Sequence, residues 1–397
     1  MAERLIFHID VNSAYLSWEA ADRLQRGESL DLRTIPSIVG GDQEKRRGVV
    51  LAKSIPARKY GVRTGEPIVN AMRKCPKLLC VPARHELYSR CSRSFIHVLR
   101  RFAPVIEQVS VDEAFADMTG TSLLYGTPQN AAAQIKDTIR DELGFTVNVG
   151  ISSNKLLAKM ASDFQKPDRI HTLFPEEIPK KMWPLPVEEL FLVGQATARK
   201  LHSLGIQTIG DLAQSDPALI RSHLKKQGEI IWNYANGFDS RPVEAEPAGV
   251  KSYGNETTLP NDITDPDEAR AVLLSLCESV AARLRADQIK ASCITVKYTD
   301  YRFSGQSHQK MLASPTNVTE EIYQTAVCLL DEMWKSRIPL RLLGVSASRL
   351  DDSGFYQYNL FDGTKYEKLK KLDSAIDSIR SRYGSDAVRR GRLLPPG

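Results

Sequence analysis

The chain has 397 residues, 42% hydrophobic and 26% charged, the composition of an ordinary globular protein and not of a disordered or fibrous one. That length predicts roughly two to four domains, each able to bury a core. The net charge of +6 suits a polyanion if clustered and a solvated surface if spread, while the absence of a signal-like or membrane-length apolar run predicts a cytoplasmic protein with no membrane partner.

Residues 4–11, R-L-I-F-H-I-D-V, read as a short buried strand that ends at Asp10. From Asn12 to Leu24, the positions of Ala14, Tyr15, Trp18, Ala21 and Leu24 fall on one helical face, so Asp10 sits where strand meets helix. A helix-rich piece follows to about residue 80, rich in Lys and Arg and interrupted by Pro56, Gly61, Gly65 and Pro76. A long helix is predicted over residues 84–102. Next comes V-I-E-Q-V-S-V-D-E-A-F-A-D, residues 105–117, a strand-like run with Asp112 and Glu113 side by side. Adjacent strand residues point to opposite faces, so two carboxylates there cost burial unless an arginine, a metal ion or a bend relieves them.

Beyond Asp117 the pattern predicts a helix over 128–143, a strand over 145–151 and a helix over 154–164. With the inserted piece set aside, the order is strand, helix, two strands, helix, strand, a ferredoxin-like α+β layout. In that layout Asp10 lies beside the turn that carries Asp112 and Glu113. Three carboxylates brought together need cations, and an all-oxygen donor set favours hard divalent ions, Mg²⁺ or Mn²⁺, over zinc. A pair of such ions serves phosphoryl transfer.

Residues 175–237 read as short helices with glycine turns at Gly194 and Gly205. A connector rich in proline and charge covers 238–250. A second module, 251–350, runs strand, helix, two strands, helix, strand, and a polar loop and a helix complete the chain over 351–397. The six cysteines form no CxxC pair and have no histidine at zinc-finger spacing, which predicts reduced, packed thiols.

Four segments together, H-I-D-V-N-S-A-Y (8–15), I-P-A-R-K-Y-G-V (55–62), V-S-V-D-E-A-F-A-D (109–117) and V-G-I-S-S-N-K-L-L-A-K-M-A-S-D-F-Q-K-P-D (149–168), resemble the Y-family of translesion DNA polymerases over nearly the whole chain. The resemblance implies a right-hand polymerase: a ferredoxin-like palm (1–13 and 84–173), small fingers (14–83), a helical thumb with a helix-hairpin-helix (174–237), a linker (238–250), a βαββαβ little finger (251–350) and a tail (351–397). It implies low-fidelity, template-directed synthesis without proofreading, with deoxynucleoside triphosphates and primer-template DNA as partners, a sliding clamp as a further partner, and a monomeric chain. Asp10 and Asp112 become metal ligands, Glu113 the third carboxylate, and the Val11 carbonyl a further ligand of two Mg²⁺ ions, with Mn²⁺ as a substitute. Tyr15 becomes the gate that excludes a ribose 2′-hydroxyl, and Arg58 and Lys166 hold the triphosphate. Gly194, Lys290, Lys297, Arg302 and Lys310 become contacts to the DNA backbone. Q-Y-N-L-F resembles a clamp-binding peptide with Gln357, Leu360 and Phe361 as anchors.

The chain departs from the family pattern at Asn12, Ser13 and Ala14, where the family commonly has an aspartate and two aromatics. It departs again at A-K-S-I, residues 52–55, which lacks a threonine and a tyrosine hydroxyl expected near the triphosphate. Lys53 and Ser54 are the polar side chains left there. Two other classes stand as alternatives. Loss of Asp10, Asp112 or Glu113 would favour a DNA-binding accessory protein with a degenerate palm, and the hairpin thumb and second module argue against a nucleotidyl cyclase.

Overall fold

A computed structural model describes residues 4–41, 48–246, 249–351, 363–384 and 386–393. Gln357, Leu360 and Phe361 lie outside the described residues. The chain forms two units, one up to residue 246 and one from residue 249.

The first unit is organised around β1 (Ile6–Val11), whose residues Ile6 to Ile9 have no solvent exposure. An apolar run without polar alternation is what a strand buried on both faces requires. After β1 come α1 (Ala14–Gln25), a three-stranded sheet of β2 (Ser37–Gly40), β3 (Val50–Lys53) and β4 (Leu79–Pro82), two short helices α2 (Ile55–Lys59) and α3 (Ile68–Lys74), and α4 (His85–Leu99). The chain then returns as β5 (Val105–Gln108) and β6 (Glu113–Asp117), followed by α5 (Ser122–Tyr125), α6 (Pro128–Leu143), β7 (Val147–Ser152), α7 (Lys155–Asp163) and β8 (Ile170–Thr172).

The strand order is β5-β6-β1-β7-β8. β6 lies between β1 and β5, and β1 lies between β6 and β7, all antiparallel, so two βαβ units interleave as the ferredoxin-like reading requires. β8, which the sequence did not announce, adds a parallel edge. Phe7 and Ile9 point to the core made with α4 and α6, whereas Ile6 packs with Phe115 of β6 and Ala158 of α7. Even-numbered residues of β1, Asp10 included, therefore face α7.

Gly150 of β7 stands opposite His8 and fixes how near α7 comes. A Cβ there would lie 2.0 Å from the Ala158 carbonyl oxygen and 2.5 Å from the Ser162 nitrogen. Only a residue without a side chain lets the helix rest on the strand at this point.

The stretch to residue 80 is a correction to the helix-rich expectation, since half of its regular structure is strand. β2, β3 and β4 have four residues each, too few to show a period. Their core of Ile38, Val50, Ala57, Val62 and Ile68 is separate from the core around β1. The unit continues through α8 (Ile178–Lys181), α9 (Gln195–Ser203), α10 (Ile209–Gln214) and α11 (Pro217–Ala235), the last broken at Lys225, where φ is 56° and ψ is −138°.

The second unit is a four-stranded antiparallel sheet, β11-β10-β12-β9, with two helices packed on one face. In chain order it runs β9 (Ser252–Ile263), α12 (Pro266–Ala286), β10 (Lys290–Asp300), β11 (Gly305–Thr316), α13 (Thr319–Met333) and β12 (Leu340–Asp351), the βαββαβ order read from the sequence. A final helix, α14 (Gly363–Tyr383), is fastened to this unit by charge. Arg285 pairs with Asp373 at 3.2 Å and Asp377 at 2.6 Å, and Glu278 receives Arg380 and Arg390 at 3.1 and 2.8 Å. All six cysteines are free thiols.

Gly150→Ala is expected to destabilise the first unit by the upper end of the roughly 1–3 kcal/mol that overpacking costs. The check is the thermal unfolding midpoint of the variant against the parent chain; an unchanged midpoint would mean that α7 has room to move.

Candidate active site

β1 and β6 deliver the first carboxylates by register. Asp10 stands directly opposite Glu113, and the Val11 N–H donates to the Asp112 carbonyl at 2.9 Å, tying the bend before β6 to the end of β1. The bend itself spans 109–112: the N–H groups of Val109 and Ser110 both donate to the Glu113 carbonyl, and the side chains of Val109 and Val111 are exposed. The apolar run is thus two strands with a bend between them. Asp112 lies in the bend and Glu113 is the first residue of β6, so neither is forced into the core.

Their charges are met from α7 and the residues just after it. Lys159 Nζ is 2.6 Å from Glu113 Oε2 and 3.7 Å from Asp10 Oδ2, and Lys166 Nζ is 2.8 Å from Asp10 Oδ2. Behind Glu113, His8 Nε2 approaches to 3.4 Å without a hydrogen bond, while His8 Nδ1 is 2.8 Å from Ser162 Oγ. Burial holds the imidazole below its ordinary pKa, and Lys159 is the cation that donates to Glu113. The nearness of His8 first, then Lys159, holds the Glu113 carboxyl down at about 2.

Asp112 is the exception. Ser110 Oγ donates to its Oδ1 at 2.6 Å, but among the described residues no cation lies within ion-pair distance. Burial, and then the neighbouring charges of Asp10 and Glu113, push its pKa up. Among the described residues no group of three His, Cys, Asp or Glu side chains is arranged to hold a metal ion, since Asp10 and Glu113 are turned onto lysines. The donor set still fits a hard divalent ion: all oxygen, adjacent by register, with one carboxylate left uncompensated.

Asp10 and Asp112 line a cleft of about 490 Å³ together with Tyr15, Lys53 and Arg58. Tyr15, in the first turn of α1, stacks on Tyr88 with ring centroids 4.4 Å apart and planes at 10°. Tyr88 is fixed in turn: its hydroxyl donates to Glu19 Oε1 at 2.9 Å, and Arg84 bonds Glu19 and Asp22 at 2.5 and 2.8 Å. Tyr15 therefore cannot shift into the space of Tyr88 without disturbing the bonds that Tyr88 and Arg84 make to the buried Glu19. Arg58 lines the cleft from α2, and its guanidinium has no ion pair or hydrogen bond among the described residues. Asn12 turns away from the cleft, bonding Thr146 Oγ1 at 3.2 Å.

Away from the cleft, Gly194 is the exposed N-cap of α9. The four basic residues of the second unit do not form one row. Lys297 pairs with Ser307 and Lys310 with the core residue Ile294, so strand alternation sends them to opposite faces. Lys297 is salt-bridged to Glu256 beside Gly344 and Ser346 on the open face, Arg302 lies over the Tyr301 ring, and Lys290 opens β10. Sequence reasoning missed His8, Lys159, Glu19, Arg84 and Tyr88 as partners of the site. Lys155 and Lys159, four apart on α7, were the available signal, although Lys155 serves Glu107 at 2.6 Å instead.

Comparison with known proteins agrees over the whole chain. Residues 9–163 match the impB/mucB/samB family, 175–206 the IMS family HHH motif, and 250–360 the impB/mucB/samB family C-terminal domain. The chain is 45% identical to a DNA polymerase IV of Clostridium acetobutylicum over 98% of both sequences. It is 37% identical to a DNA polymerase IV of Alkaliphilus oremlandii, over 98% of this chain and 99% of the relative. A solved Y-family DNA polymerase chimera superposes with a TM-score of 0.75 at 26% identity, over 87% of this chain and 98% of that one.

Proposed function

Since the chain belongs to the impB/mucB/samB family of Y-family DNA polymerases, we propose that Asp10, Asp112 and Glu113 are the reacting centre at which it adds a deoxynucleotide to a primer 3′-hydroxyl. The protein is a DNA-directed DNA polymerase of the translesion type, it binds DNA and deoxynucleoside triphosphates, and it depends on divalent metal. The observation that carries the assignment of its centre is Asp112, a carboxylate without a cation, beside two others at the mouth of a cleft that also holds an unpaired Arg58. Asp10, Asp112, Glu113 and the Val11 carbonyl would hold two Mg²⁺ ions, or Mn²⁺, which supply Lewis acidity to the attacking and leaving oxygens.

The chain's own residues do the rest. Tyr15, braced by Tyr88, fills the space a ribose 2′-hydroxyl would need. Arg58 and Lys166 bind phosphate, and Lys166 leaves Asp10 to do so. Lys159 keeps Glu113 ionised and oriented. We assign residues 1–13 and 84–173 to the palm, 14–83 to the fingers, 174–237 to the thumb, 238–250 to a linker, 251–350 to the little finger and 351–397 to the tail. Gly194, Lys290, Lys297, Arg302 and Lys310 contact the DNA backbone, Lys310 from the other side of its sheet from Lys297. Gln357, Leu360 and Phe361 engage a sliding clamp, and the chain works as a cytoplasmic monomer; among the described residues no helix is long and apolar enough to cross a membrane.

Asp112→Ala and Glu113→Ala should each abolish primer extension while primer-template affinity, read by fluorescence anisotropy, stays within about threefold, because phosphate contacts dominate that affinity. Extension by both variants would remove these residues from the centre. Tyr15→Ala should raise the ratio of ribo- to deoxynucleotide incorporation opposite one template base; an unchanged ratio would make Tyr15 a packing residue only. Alanine at both Leu360 and Phe361 should abolish stimulation of synthesis by the clamp and leave extension of a short primer without clamp intact. Loss of both activities together would assign the segment to structure.

A further inference from the structure

The cleft has a cationic wall that the sequence left open. Lys53 is the half-buried last residue of β3, next to the buried Ala52, and lines the cleft with Asp10 and Asp112. Its ammonium reaches only Thr64 Oγ1, at 3.4 Å, and among the described residues no carboxylate is within ion-pair distance. Glu66, the acid whose field Lys53 feels, is taken by Lys74 at 2.5 Å and by the Arg63 N–H at 2.7 Å. Arg58 and Arg63 add positive charge nearby. Burial first, and then Arg58, push the Lys53 pKa down against the opposing field of Glu66.

Ser54, the other polar residue of this stretch, is not available. It is buried, its Oγ donates to the Ile35 carbonyl at 2.7 Å, and it accepts the N–H groups of Ala57 and Ser37, both at 3.1 Å, as the N-cap of α2. Ile55 offers no donor. The hydroxyls absent from residues 52–55 thus leave Lys53 as the side chain of that stretch able to meet a ligand in the cleft.

We propose that Lys53 is a nucleotide-binding residue that grips the terminal phosphates of the incoming triphosphate together with Arg58. With Asp10 and Asp112 at the reacting end and Tyr15 beneath the sugar, the outer phosphates fall against the wall of Lys53, Arg58 and Thr64. Two unpaired cations facing one cleft repel each other, and a polyanion between them converts that repulsion into attraction. Lys53 acts as a point charge and Arg58 as a fork, so they need not compete for the same oxygens. This assignment rests on the polymerase reading above.

The test is single-nucleotide insertion on a primer-template by Lys53→Gln and Lys53→Arg, with Arg58→Ala alongside. Lys53→Gln should raise KM for the nucleotide about tenfold, the loss of one charge-assisted contact, with kcat changed by less than about threefold. Lys53→Arg should recover most of the KM. In ternary complexes held with Ca²⁺, Lys53→Gln should also lessen the preference for a nucleoside triphosphate over its diphosphate, which a merely structural role would not touch. An unchanged KM in Lys53→Gln while Arg58→Ala raises it would overturn the role of Lys53. So would a raised KM with the triphosphate preference intact. A parent chain that extends no primer would instead overturn the polymerase reading on which the inference stands.

Discussion

The pairing of β1 with β6 is the constraint on which the rest depends. One register, Asp10 against Glu113, sets two carboxylates on the same face of the sheet, and the Val11 N–H bond to the Asp112 carbonyl brings the third to its edge. A slip by one residue would turn Asp10 toward α4 and α6 and put Phe7 and Ile9 against α7. The apolar alternation that buries Phe7 and Ile9 therefore also aims the acid. Stability and chemistry are specified here by the same hydrogen bonds, and neither can change without the other.

The charge on that face is balanced before any ligand arrives. Lys159 and Lys166 approach from α7 and its C-terminal continuation, and Gly150 lets that helix come near enough for them to reach. Two acids at a half-buried strand end would otherwise raise each other's pKa, as happens at Asp112. The two lysines offset two of the three carboxylate charges, and Lys159 helps to hold Glu113 ionised. They also explain why, among the described residues, these acids are not gathered as a ligand set.

What could be read from the sequence divides along physical lines. α6 was legible to the residue because Thr127 caps it, Pro128 opens it and Gly144 ends it at a positive φ. α12 was legible for the same reason, with Asp265 and Pro266 at its start. β2, β3 and β4 were not, since four buried residues carry no period, and β8 has only three. Asp10, Asp112 and Glu113 stood out because charge in an apolar run is costly. His8, Lys159 and the Glu19–Arg84–Tyr88 brace did not, because each acts through a residue distant in sequence: Glu19 meets Tyr88 across 69 positions. The split of Lys297 and Lys310 between two faces follows from a strand pairing that a list of basic residues does not contain.

The central place of β1 has a bearing on how the protein is made. It is synthesised first of the palm strands, yet both neighbours come late, β6 ending at Asp117 and β7 at Ser152. At about 5–20 residues per second, a ribosome needs roughly 7 to 30 s after Val11 before β7 exists. Until β6 is made, I-F-H-I-D-V is an apolar strand with two unpaired edges, and until β7 is made it keeps one, the kind of segment that recruits chaperones or other nascent chains. A chain released before residue 152 keeps one edge open. The three-stranded sheet, whose strands all lie between Ser37 and Pro82, can close on itself in the meantime. Translation thus completes the three-stranded sheet long before the strands that carry the carboxylates can meet.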